Sequence, residues 1–85
     1  MDPAFFEAYA RLGRSALDAG DKVKALTAYE YALALNPDAS GPRFNFALAL
    51  HQAGYLLDAA EELERFFQQI KYQAYLDFTE NFQTD

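Results

Sequence analysis

Few residues in this chain have side chains suited to catalysis or metal binding. His51 is the only histidine and cysteine is absent, so one chain can form neither a two-histidine metal site nor a disulfide. A serine nucleophile needs a base beside it, and the sequence offers none next to Ser15 or Ser40. We interpret Ser15 as a small residue for helix packing and Ser40 as a helix cap.

The acidic run of Glu61, Glu62 and Glu64 is the one remaining candidate for cation binding. Three carboxylates within four helical positions point in different directions, so they do not converge on a cation. We expect them to form a solvated face. No glycine-rich phosphate-binding loop is present either. The sequence therefore predicts no enzymatic activity, no metal and no cofactor.

The composition favours a protein that meets another protein. Hydrophobic residues make up 52% of the 85 residues and aromatic residues 16%, so part of the aromatic surface is expected to contact another chain. The formal charge of −6 argues against nucleic acid and anionic membrane, because both attract basic surfaces. There is no apolar run long enough to span a membrane and no basic-then-apolar leader, so we expect a cytoplasmic location.

A spacing of 34 residues organises the chain. Adding 34 takes Gly20 to Gly54 and Ala25 to Ala59. This period is typical of a helix–turn–helix repeat. The residues of the first copy that fall at the required spacings are Tyr9, Leu12, Gly13, Ala25, Tyr29 and Pro37.

These residues resemble the tetratricopeptide repeat (TPR) family. The resemblance implies an all-α fold of antiparallel helix–turn–helix repeats, a fragment of an α-solenoid, acting as a protein-interaction module. It predicts a single domain over 1–85, with repeats at about 4–37 and 38–71 and a C-terminal helix at about 72–83. It also implies that Gly13 marks a close approach of the two helices of one repeat, with Ala25 and Ala32 answering from the second helix.

The turn residues predict where the helices begin and end. The first helix is expected to run to about Ala19 before Gly20, and the second from an Asp21 cap to just before Pro37. The third is expected to run from a Ser40 cap to about residue 53.

The C-terminal third leaves two structures open. Neither glycine nor proline follows Gly54, and the apolar stripe from Leu56 to Ile70 is followed by apolar residues on roughly the opposite helix face. Either the chain bends near residue 71 and a short helix folds back as a cap, or one helix runs from Leu56 to Phe82 and its second face packs on another copy. The residues of that second face are Tyr72, Tyr75, Leu76 and Phe82.

In the TPR family the first helix of each repeat lines a groove that takes a peptide or a helix of a partner. Carried over by register, the groove residues here are Arg14, Leu17, Phe44, Asn45, Leu48, His51 and Gln52. Phe44 and Leu48 have an alternative role, packing under the C-terminal helix. Only Asn45 matches the family's clamp for a chaperone carboxylate, so that specificity is not expected. The alternative function is a homodimer through the C-terminal helix with no peptide ligand.

Overall fold

The computed structural model describes residues 3–83, with side chains described up to residue 80. The fold is all-α, as predicted: no strand occurs within residues 3–83. The four helices are α1 (Pro3–Ala19), α2 (Lys22–Leu35), α3 (Ser40–Gln52) and α4 (Leu56–Gln83). The first three begin and end within a few residues of the positions that the turn residues predict.

The same turn ends α1 and α3. Gly20 has a φ of +77° and Gly54 a φ of +92°, a region that side chains disfavour and glycine adopts freely. After each glycine, the amide of Asp21 or Tyr55 donates a hydrogen bond of 2.9 Å to the carbonyl five residues back. The 34-residue repeat is thus visible in the backbone as well as in the sequence.

The starts of α2 and α3 differ. Asp21 caps α2 by accepting a hydrogen bond from the Lys24 amide at 3.2 Å. The cap position of α3 is Ala39, which has no side-chain cap bond, and its carbonyl accepts the helical bond from the Arg43 amide at 3.3 Å. Ser40 is therefore the first helical residue, and its predicted role as the cap was wrong.

The helices pack in sequence order. α1 lies against α2, α2 against α3 and α3 against α4, and α1 also touches α3. Small residues form the centre: Ala16, Ala25 and Ala49 are almost completely buried, and Leu17 and Leu26 pack against them. Alanines at these crossings let the helix backbones approach closely, which suits stacked repeats.

Gly13 marks a close approach between α1 and α2. A Cβ atom at this position would lie 2.9 Å from two ring carbons of Tyr29, which is itself only 1% exposed. The close approach was predicted correctly, but its partner was not. Ala25 and Ala32 are fully buried, yet the Tyr29 ring fills the space that Gly13 leaves, because an aromatic ring reaches across an interhelical gap that a methyl group cannot.

α4 is one continuous helix of 28 residues, about 42 Å long at 1.5 Å per residue. The structure therefore has the unbroken helix of the second alternative: residues 72–83 belong to α4 and do not form a separate cap. The packing of its second face on another copy stays a prediction. No helix breaker interrupts the chain after Gly54, so the change of apolar face occurs within an unbroken helix. Within the described residues α4 packs against α3 alone, and the molecule measures 50 Å along its longest axis.

The acidic run is not uniformly solvated. Glu62 is 8% exposed, and its two carboxylate oxygens each lie 2.6 Å from a guanidinium nitrogen, one of Arg43 and one of Arg65. Glu61 and Glu64 are exposed, as expected. The prediction of a solvated face was wrong for Glu62, because the α3–α4 contact buries its position on the helix. Two arginines neutralise its charge there.

Candidate functional site

The predicted groove residues come from α1 and α3, the two helices that would line a concave surface. α1 supplies Arg14 and Leu17, and α3 supplies the other five. They do not share one surface. At about 100° per residue, Asn45 and Gln52 lie on one side of α3, while Phe44 and His51 lie nearer α4. The site therefore has a polar part and an apolar part.

The polar part surrounds the buried hydroxyl of Tyr29. That hydroxyl has no hydrogen-bond partner among the described residues. Burial raises the pKa of Tyr29 above its usual 10.0; the Asn45 amide and the Arg14 charge oppose the shift, and the Asp18 charge adds to it. The Asn45 side chain is thus close enough to act on the hydroxyl without closing a hydrogen bond of normal geometry. Residues from α1, α2 and α3 converge here.

Arg14 is available to a partner. Its Nε lies 3.3 Å from Asp18 Oδ1, and the two side chains are 63% and 65% exposed. An exposed pair one helical turn apart stabilises a helix by only about 0.3–0.5 kcal/mol, so a ligand carboxylate competes with it readily. Asn45 is half-buried and Gln52 is exposed. This part of the surface offers hydrogen-bond donors in the geometry of two adjacent helices.

Leu17 does not belong to the accessible surface in the same way. It is half-buried and packs against the cluster formed by Ala16, Ala25 and Ala49. Its side chain supports the floor between α1 and α3. We expect Leu17 to affect partner binding only indirectly, by keeping α1 and α3 in position.

The apolar part lies between α3 and α4. The Phe44 ring is centred 5.1 Å from the Phe66 ring, and Leu48 and His51 line an apolar cleft of about 370 Å³ with residues of α4. Phe44 and Leu48 remain 37% and 39% exposed. Phe44 and Leu48 thus pack beside the first half of α4 and still face solvent, and their role in a peptide groove stays a prediction.

The distal half of α4 is uncovered. Tyr72 is 64% exposed, Tyr75 63% and Leu76 39%. The side chain of Phe82 lies outside the described part of the structure. The apolar side chains of Tyr72 and Tyr75 thus lie mostly in solvent.

Two features escaped the sequence analysis. Tyr29 was considered only as a residue of the repeat pattern, and the effect of Arg14 and Asn45 on its hydroxyl depends on the crossing of three helices, which no local pattern encodes. The 57% exposure of Phe67 was missed for another reason. The apolar stripe from Leu56 to Ile70 was treated as one face, whereas the structure divides it into a part against α3 and an exposed part.

The described residues offer no other chemistry. Within residues 3–83 no group of three or more His, Cys, Asp or Glu side chains is placed to hold a metal ion. None of the helices in that range is both long and apolar enough to cross a bilayer.

Comparison with known proteins identifies the repeat. Residues 6–39 match the family model of the tetratricopeptide repeat. No curated protein and no solved structure matches the chain. The resemblance seen in the sequence is confirmed, and the four helices fit the arrangement of that family.

Proposed function

We propose that this tetratricopeptide-repeat chain uses the surface between α1 and α3 to bind an extended or helical segment of a partner protein. Tetratricopeptide repeats are non-catalytic and generally serve protein–protein interaction, binding partner proteins or peptides. The cytoplasmic location stays a prediction from the sequence.

One observation carries the proposal: Arg14 of α1 and Asn45 of α3 both act on the buried hydroxyl of Tyr29. An exposed guanidinium and a half-buried amide provide several hydrogen-bond donors and one acceptor, which suits a peptide backbone or a carboxylate. Leu48 borders this polar part and adds an apolar contact. A partner segment with a carboxylate or free backbone carbonyls beside an apolar side chain fits this chemistry.

The test uses random linear peptides displayed on phage and selected on the whole chain. Selected peptides are then titrated by fluorescence anisotropy against the natural chain, Arg14→Ala and Asn45→Ala. Each variant is expected to weaken binding about tenfold, equal to about 1.4 kcal/mol, because each removes charge-assisted or amide hydrogen bonds.

Lys24→Ala is the matched control. Lys24 is exposed on α2 and makes only a 3.9 Å contact with Asp21, so its loss should leave affinity unchanged. If no peptide is selected, or if selected peptides bind Arg14→Ala and Asn45→Ala as tightly as the natural chain, the groove is not the binding surface.

A second candidate function is self-association through α4. It is favoured by the length of α4, whose distal half extends beyond α3 with Tyr72, Tyr75 and Leu76 exposed. Light scattering behind a sizing column, over a hundredfold range of concentration, tests it. A mass near 9.6 kDa throughout contradicts self-association, and a mass rising toward twice that value supports it.

A further inference from the structure

α4 carries a largely exposed stripe that differs from the face at Tyr72, Tyr75 and Leu76. We call it the α4 seam, and its residues are Leu56, Ala60, Leu63, Phe67, Ile70 and Ala74. Steps of four and three residues alternate along it, which is the heptad spacing of a helix that packs lengthwise on another helix. Leu56 is 59% exposed, Phe67 57% and Ile70 41%.

α3 does not occupy the seam. The α4 residues buried against α3 are Ala59 and Glu62, which lie to one side of it. At the proximal end the seam forms one wall of the cleft that Leu48 and His51 line from α3. The equivalent surface of the first helix pair contacts a further helix. By the 34-residue register His51 corresponds to Leu17, which packs against the cluster that contains Ala49 of α3.

The seam is longer than any of the other three helices. From Leu56 to Ala74 it spans about 27 Å, whereas α1, the longest of the three with 17 residues, spans about 26 Å and α3, with 13 residues, about 20 Å. Its occupant must therefore be a long helix with apolar residues at heptad spacing. α4 itself meets that description.

We propose that the seam binds the α4 seam of a second copy of this chain, with the two helices antiparallel. This inference rests on the self-association through α4 proposed above, and it assigns the interface to the seam in place of the face at Tyr72, Tyr75 and Leu76. In the antiparallel register that packs Phe67 on the partner's Ile70, Leu63 also packs on the partner's Ala74. A parallel pair would instead place Asp77 opposite the partner's Asp77 at a seam position, and like charges there disfavour it.

The flanking charges fit the antiparallel register. Glu64 and Lys71 lie seven residues apart on the same side of the seam, so the register that pairs the seams brings Glu64 beside the partner's Lys71, and Lys71 beside the partner's Glu64. Within the described residues neither takes part in an ion pair. The same register places Leu57, 84% exposed, beside the partner's Phe78, 68% exposed.

Charge reversal tests the register with little risk to the fold, because Glu64 and Lys71 are both exposed. In Glu64→Lys or Lys71→Glu alone, both symmetric pairs change from attraction to repulsion, and we expect dimer dissociation to rise about tenfold. An equimolar mixture of the two variants should recover the affinity of the natural chain, because each pair in the mixed dimer again joins a lysine of one chain to a glutamate of the other. Sedimentation equilibrium measures all three.

Substitution of two exposed aromatic residues tests which face of α4 forms the dimer interface. Phe67→Ser should dissociate the dimer, whereas Tyr75→Ser, on the other exposed face, should leave it intact. Circular dichroism confirms that both variants fold.

The outcomes separate the two proposals. If the natural chain dimerises but the charge variants, their mixture and Phe67→Ser all behave like it, the seam is overturned while self-association stands. A natural chain that is monomeric at every concentration overturns both and leaves the peptide groove untouched.

Discussion

The two helix pairs of this molecule fill equivalent positions with different chemistry. In the first pair, Tyr9 on α1 and Tyr31 on α2 stack with ring centres 5.1 Å apart. Adding 34 leads to Arg43 on α3 and Arg65 on α4, which are joined by the carboxylate of Glu62 between them. A stacked aromatic pair between α1 and α2 and a network of three charged side chains between α3 and α4 thus occupy equivalent positions.

The contact between Gly13 and Tyr29 also has different residues at the equivalent positions of the second pair. In the first pair Gly13 faces the ring of Tyr29, and the register equivalents in the second pair are Ala47 and Leu63. A smaller residue on one helix accompanies a larger one on the other in both pairs, although Ala47 and Leu63 also line the cleft between α3 and α4. We therefore expect the two residues of each crossing to be matched in size, so that a single substitution from one pair into the other lowers stability.

The largest effect is expected at the ion network. Glu62→Ala introduces the residue of the equivalent position, Ala28, and leaves the largely buried guanidinium of Arg43 without its carboxylate. Removing one partner of a buried pair costs about 3 kcal/mol, so the free energy of unfolding in urea should fall by that order. Glu61→Ala removes an exposed carboxylate next to it and should change stability by less than about 0.5 kcal/mol.

Transplanting the whole set should restore stability. The triple variant Arg43→Tyr, Glu62→Ala and Arg65→Tyr reproduces the first pair's arrangement, and replacement of a buried ion network by packed apolar groups is often neutral. We expect its unfolding free energy to lie well above that of Glu62→Ala alone. A triple variant no more stable than the single one would show that the two pairs are not equivalent at this gap.

The helix crossing should give the next largest effect. Gly13→Ala gains helix propensity worth about 1 kcal/mol, but its new methyl group would lie 2.9 Å from the buried Tyr29 ring. Overpacking of this kind costs about 1–3 kcal/mol, so we expect a net loss of stability. Thermal unfolding followed by circular dichroism measures it.

Gly41 supplies the matched control. It lies in the first turn of α3, where a Cβ atom meets nothing within 4 Å, so Gly41→Ala should raise stability slightly, by less than about 1 kcal/mol. Combining Gly13→Ala with Tyr29→Leu recreates the Ala47 and Leu63 combination of the second pair. The double variant should be more stable than the sum of the single changes predicts. Strict additivity would contradict the compensation.

The helices were predictable because their signals are local. Gly20 and Gly54 end two helices through a backbone conformation that glycine favours, and Pro37 excludes a helix at the residue before it. The 34-residue spacing then fixes which helices are equivalent. Such features need no knowledge of how the helices pack.

The features that sequence reasoning missed depend on contacts between helices. Glu62 is buried because Arg43, 19 residues earlier, meets it across the α3–α4 interface, and a count of neighbouring carboxylates cannot reveal that. The continuity of α4 was left open because a change of apolar face resembles the start of a new helix. The effect of Arg14 and Asn45 on the Tyr29 hydroxyl likewise depends on three crossing helices.

The smallest expected effect is the pH dependence of stability that Tyr29 causes at the helix crossing of the first pair. Because burial raises the pKa of folded Tyr29 above its usual 10.0, the unfolded chain loses this proton first as the pH rises. The contribution to stability is therefore constant below pH 10 and falls above it, by at most about 1.4 kcal/mol per pH unit. Leu63, the equivalent residue of the second pair, has no such group.

Tyr29→Phe should remove this alkaline loss and, by deleting a buried hydroxyl without a partner, raise stability at neutral pH by about 1 kcal/mol. Urea unfolding from neutral pH to above pH 10 measures the difference between the two chains. Tyr29→Leu serves as control: it leaves a cavity and is less stable at every pH, yet its difference from Tyr29→Phe should not vary with pH. A constant difference between the natural chain and Tyr29→Phe across the range would show that the hydroxyl ionises as easily in the folded chain as in the unfolded one.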